Sequence, residues 1–105
     1  MMITGKTQPL QLAARILTPE NLDMFRQQPF NSYGWTILDR WAVQEPEALK
    51  ALQEQGEIVL FDRVLQQQEL EQETILNNKE ARDKGLTPME VLAMEGIPTQ
   101  LAAGA

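Results

Sequence analysis

Residues 57–78 read EIVLFDRVLQQQELEQETILNN, and the assignment of this stretch decides the fold. Ile58-Val59-Leu60-Phe61 is apolar and β-branched, the kind of run that forms a buried strand. It continues into Asp62–Asn78 with no Gly or Pro to stop a helix. Ile58, Phe61, Leu65, Gln68, Gln72 and Ile75 recur at alternating three- and four-residue steps, the a/d spacing of a helix that packs on a neighbour. The spacing therefore predicts one helix of about 20 residues over 57–78. The alternative is an α+β chain with a short strand at 58–61. Glutamines at two seam positions weaken a coiled-coil version, because a and d positions favour apolar side chains.

The flanking segments also read as helices with punctuation. Asn77-Asn78 frays or bends the long helix, and Glu80 and Lys84 form an i,i+4 pair in the favoured order. Gly85 is a stop, and Thr87-Pro88-Met89-Glu90 is a capping box with proline at the first helical position. Val91, Leu92 and Met94 are expected to face inward, with Gly96 and Pro98 ending that helix. Upstream, Glu45-Pro46-Glu47 starts a short helix with Ala48, Leu49, Ala51 and Leu52 as its apolar positions, and Gly56 ends it. Thr18-Pro19-Glu20 starts another, with Leu22, Phe25 and Arg26 on the inner face and Pro29 as its end. Ser32 is the expected cap of a helix whose inner face is Trp35, Leu38, Trp41 and Ala42. Residues 10–17 fit both helical and strand periods, and their two alanines and arginine favour helix. The expectation is an all-α fold, a small bundle of four to five helices in one domain spanning 1–105, with loose termini at about 1–7 and 99–105.

Composition narrows the chemistry. The 105 residues include no His and no Cys. That removes Ser-His-Asp and Cys-His catalysis, thiolate zinc sites, iron–sulfur ligation and disulfides. Ser32 is the one serine in the chain. The helical di-metal pattern needs Glu-x-x-His, so no metal site, no catalytic residue and no cofactor is expected, and the chain reads as a non-enzyme. There is no Gly-x-Gly-x-x-Gly, and Thr4-Gly5-Lys6-Thr7 matches only the last letters of a phosphate-binding loop. No apolar run approaches 18 residues and no signal-like start is visible, so a cytoplasmic protein without membrane contact is expected.

Charge is uneven. Nine Lys+Arg face 15 Asp+Glu, for a net charge of -6. Residues 1–44 carry Lys6, Arg15, Arg26 and Arg40 against Glu20, Asp23 and Asp39, a net of +1. The remaining residues hold five bases and twelve acids, a net of -7. Such a surface repels phosphate, so direct nucleic-acid binding is not expected. A helix-turn-helix drawn through 18–44 would have a second helix poor in base-reading side chains.

Two features point to protein partners. Phe25, Phe30, Tyr33, Trp35 and Trp41 cluster within 17 residues. They either build the core or, chiefly Phe30, Tyr33 and Trp35 in the turn-rich segment, anchor a partner. Gln66 to Glu73 forms a polar block in which Glu69 and Glu73 share one helix face. This block is either a solvated surface or a contact face for a basic protein or a second copy. The expected function is a small acidic protein-binding module, an adaptor, inhibitor or regulator, with partner-binding residues Phe30, Tyr33, Trp35, Glu69 and Glu73. The short, Gln-rich, cofactor-free style is compatible with accessory proteins of phages or mobile elements. Two alternatives stand beside it. One is an assembly subunit forming a homo-oligomer, such as a homodimer through the long helix. The other is an acidic mimic that blocks a nucleic-acid-binding protein by engaging its Lys and Arg residues.

Overall fold

The computed structural model describes residues 8–101, and the expectations for 1–7 and 102–105 lie outside them. The described chain is all-α: α1 Pro19–Phe25, α2 Ser32–Gln44, α3 Pro46–Glu54, α4 Glu57–Leu76, α5 Lys79–Asp83 and α6 Pro88–Met94, preceded by a 3-10 turn at Ala13–Arg15. Among the described residues there is no strand, so Ile58–Phe61 belongs to the first turns of α4. The count exceeds four to five because Asn77 and Asn78 separate α5 from α4.

Helix starts follow local chemistry. The Thr18 side chain caps α1 by accepting from the Asn21 N–H, with Pro19 at the first position. At α6 the box closes in both directions: the Glu90 N–H donates to Thr87 Oγ1 at 3.2 Å, and the Thr87 N–H donates to Glu90 Oε1 at 2.8 Å. These bonds hold the Glu90 carboxyl below its ordinary range. The cap of α2 is Asn31 rather than Ser32. Its Oδ1 accepts from the Tyr33 N–H at 2.9 Å, and Ser32 is already inside the helix. Gly56 joins α3 to α4 at φ 121°, a conformation that a Cβ would strain.

Residues 10–17 do not form the full helix expected of them. Leu10 sits at φ 67° and only three residues wind as a 3-10 turn. Tertiary contacts hold this geometry. The Asp39 carboxylate of α2 accepts from the N–H groups of Leu10 at 2.9 Å and Ala13 at 2.8 Å, while Leu10, Ala13 and Leu17 bury in the core. Charge-assisted bonds of this kind are worth about 1.5–3 kcal/mol each. That is enough to hold a backbone whose left-handed residue costs about 1–2 kcal/mol.

The core lies where α2 crosses α4 and α3. Leu38, Trp41, Leu49, Leu60 and Val64 are fully buried in it. Phe25, Phe30 and Phe61 stack edge to face beside it, with centroids 4.6 Å and 4.9 Å apart along the series. The inward face of α4 differs from the predicted seam. Leu60, Val64, Gln67, Gln68, Glu71 and Ile75 are buried, whereas Ile58 is 75% exposed. Two heptad registers coexist in this sequence, and the one through Leu60 and Val64 wins because it faces both α2 and α3. Arg26 and Met94, placed inward by periodicity, are exposed, and Ile37 is buried instead. Residues 99–101 are docked rather than loose, with Leu101 in the main core cluster.

Candidate functional site

The polar block of α4 divides by face. Gln67, Gln68 and Glu71 point inward, and Glu69 and Glu73 point outward. At 3.6 residues per turn, positions 67 and 71 lie nearly opposite 69 and 73 around the helix.

The inward residues hold loops. Gln68 Oε1 accepts from the Asn31 N–H at 3.2 Å, and its Nε2 donates to the Pro29 carbonyl at 3.0 Å. Asn31 Nδ2 donates to Gln72 Oε1 at 3.0 Å. Gly34 on α2 sits against this amide, and a Cβ there would overlap Gln68 Oε1. Gln53 of α3 does the same work at the start of α1, accepting from the Thr18 N–H and Asn21 Nδ2 and donating to the Ile16 carbonyl.

Glu71 anchors a second network. Arg40 Nη1 and Nη2 donate to its two carboxylate oxygens at 3.1 Å and 2.6 Å, and both side chains are more than nine-tenths buried. Gln67 Nε2 donates to Glu71 Oε2 at 2.6 Å, and Arg63 Nη1 donates to Gln67 Oε1 at 2.9 Å. The Arg63 guanidinium lies 5.0 Å from the Trp41 ring centroid. Burial pulls the Arg63 guanidinium below its ordinary value, and the Glu45 and Glu71 charges pull it back. Arg40 Nε is buried without a hydrogen-bond partner among the described residues.

The outward residues edge a groove of about 700 Å³ between the Pro29–Asn31 turn and the flank of α4. Pro29, Leu65 and Leu76 supply apolar surface, Glu69 and Glu73 supply negative charge, and no Lys or Arg lines it. The groove is wide open to solvent and its polar side chains are amides and carboxylates. The chemistry it presents is apolar contact and negative charge.

The five residues expected to meet a partner separate accordingly. Glu69 and Glu73 come together on the groove. Phe30 is a core residue, buried between Phe25 and Phe61, so its expected role as an exposed anchor is corrected. Trp35 is half-buried against the core, and its Nε1 donates to the Phe25 carbonyl at 2.6 Å. Tyr33 is half-buried at a separate cleft between α2 and α6. Aromatic clustering in sequence thus marked mainly core. Arg40, Gln67 and Glu71 were not singled out, and Gln68 was placed on the helix seam without a role. The signal was present, since positions 60, 64, 67, 71 and 75 keep a helical stripe that runs from apolar into polar residues.

Among the described residues, no three carboxylates converge as a metal-binding set, and no helix is long and apolar enough to cross a membrane. No known protein family, curated protein or solved structure matches the chain.

Proposed function

We propose that the chain is a small acidic docking module that acts by binding another protein, and that a basic segment of the partner occupies the groove along α4. The observation that supports this is the groove itself: apolar surface from Leu65 and Leu76, edged by Glu69 and Glu73, without an opposing cation. Lys or Arg side chains of a partner would meet these carboxylates while their aliphatic stems cover the apolar surface. Paired charges at such an edge mainly raise the association rate and select the partner.

The test is a photo-crosslinking residue placed at position 73, with position 50 on α3 as a control. The expected result is a partner captured at 73 and not at 50. Binding of that purified partner should weaken at least about tenfold in the Glu69→Lys/Glu73→Lys variant and fall with rising salt. Equal affinity for the variant, or binding indifferent to salt, overturns the proposal.

The assembly reading has its own support in Ile58, Val59 and Leu70, which are exposed along α4. Sedimentation separates the two. A concentration-dependent dimer abolished by Ile58→Lys favours assembly, and a monomer throughout favours docking on a different protein.

A further inference from the structure

After α6 the chain turns at Gly96 and lays Ile97–Leu101 across α2 and α4, on the far side of α4 from the groove. The grip on this segment comes from side chains and is directed at its backbone. Gln67 Nε2 donates to the Pro98 carbonyl at 2.7 Å. Arg40 Nη2 and Trp41 Nε1 both donate to the Thr99 carbonyl, at 2.8 Å and 2.9 Å. Glu45 Oε2 accepts from the Leu101 N–H at 2.7 Å. Leu101 is the one buried side chain of the segment and lies in the core cluster, while Ile97 and Thr99 are half-buried. Gln100 is exposed.

Two of the gripping groups, Arg40 and Gln67, are held in place by bonds other than those they make to the segment. Glu71 fixes the Arg40 guanidinium with two bonds, and Glu71 and Arg63 fix the two ends of the Gln67 amide. Burying an Arg–Glu pair costs desolvation, and apolar packing would fasten a segment at least as well. A set of side-chain donors and one side-chain acceptor aimed at main-chain groups, followed by an apolar pocket, is instead the chemistry of peptide recognition. Arg40 also keeps its Nε buried without a hydrogen-bond partner among the described residues.

We propose that this cradle is a peptide-docking site whose built-in occupant is residues 97–101, and that it accepts a partner's extended segment of the same chemistry. That segment presents two successive main-chain carbonyls and, two residues after the second, an N–H with a leucine-like side chain. A proline at the first carbonyl, as in Pro98, pre-orders the extended backbone and lowers the entropy lost on docking. The resident segment competes from an effective concentration on the order of millimolar, so an incoming peptide binds the intact protein weakly and binds well once the resident is displaced.

The experiment uses the full chain and a labelled, amidated peptide of residues 95–101, EGIPTQL, followed by fluorescence anisotropy. The expected result is at least tenfold tighter binding to the Leu101→Asp variant than to the unmodified protein. Adding Gln67→Leu to that variant should abolish the gain. A peptide carrying Leu101→Asp should bind neither protein. If the Leu101→Asp variant retains its helical circular dichroism and binds the peptide no better, the proposal fails. Binding that survives Gln67→Leu places the peptide elsewhere and also overturns it. If the variant loses its fold, excess peptide should restore helicity, and failure to do so refutes the site.

Discussion

Replacing Gly34 with alanine sets local propensity against tertiary packing. Gly34 lies in the first turns of α2 with ordinary helical backbone, where alanine is favoured over glycine by about 1 kcal/mol. In the folded protein its Cβ would overlap Gln68 Oε1, and the nearest alternative contact is the Phe30 ring at 3.5 Å. The amide is a flexible side-chain end, so the overlap is relieved by swinging it away. That motion breaks the bonds to the Asn31 N–H and the Pro29 carbonyl. Gln68 is 3% exposed, so water does not readily replace them. Each partly buried group left unsatisfied costs about 1–3 kcal/mol. With two such groups unpaired and the propensity gain subtracted, Gly34→Ala should destabilise the protein by about 1–5 kcal/mol. Urea unfolding followed by circular dichroism measures this directly, and a double-mutant cycle with Gln68→Ala isolates the cause. In the Gln68→Ala background the overlap is gone, so the same glycine substitution should become neutral or stabilising. A stabilising Gly34→Ala in the otherwise unmodified protein, or equal effects in both backgrounds, would refute the packing argument.

Removing one member of the buried Arg40–Glu71 pair, as in Glu71→Leu, should cost about 3–5 kcal/mol because an unpaired guanidinium is left inside. The Arg40→Met/Glu71→Leu double variant should recover much of that loss in the same unfolding assay. Thr87→Ala should weaken α6 by about 1 kcal/mol, read as faster amide exchange over residues 91–95. The Glu90 carboxyl is held below its ordinary range, so its stabilising contribution is complete above the unfolded-state value and disappears as pH falls through the folded-state value. Acid titration should therefore loosen α6 in the native protein and show a smaller pH dependence in Thr87→Ala. Trp35→Phe should cost about 1 kcal/mol through loss of the Nε1 bond to Phe25. It should leave any binding at Glu69 and Glu73 unchanged in a pull-down titration.

The helical class, the helix starts at Pro19, Pro46 and Pro88, the glycine breaks and the capping box at Thr87 were legible in the chain because they depend on neighbours within four residues, whereas α1 ends at Phe25, ahead of the break expected at Pro29. Thr18-Pro19 and Thr87-Pro88 start helices through side-chain oxygens next to them, and Gly56 ends one turn by its own backbone freedom. The exposed pair Glu69 and Glu73 was equally legible, since helical spacing alone puts them on one face. The face of α4 that turns inward was not. Two stripes, one through Ile58 and Leu65 and one through Leu60 and Val64, satisfy the same periodicity, and only packing against α2 and α3 chooses between them. Phe30 could have been anchor or core until Phe61, 31 residues on, closed over it, and Trp35 until its Nε1 met the Phe25 carbonyl across the intervening turn.

The largest gap lies in the polar interior, where tertiary structure overruled the usual meaning of residue type. Gln, Glu and Arg are mostly solvent-facing, and residue type alone places Gln67, Glu71 and Arg40 outside; only Gln68 fell on the seam that periodicity picked out. Arg40, Gln67 and Gln68 meet N–H and C=O groups of non-helical segments, which must find partners when buried, and Glu71 is held inside by Arg40 and Gln67. Composition thus determined which chemistry is missing from this protein, and local spacing determined where its helices begin and end. Which polar side chains became the internal fasteners of its loops was decided by contacts about 30 to 60 residues apart, where hydrogen-bond satisfaction rather than propensity sets the outcome.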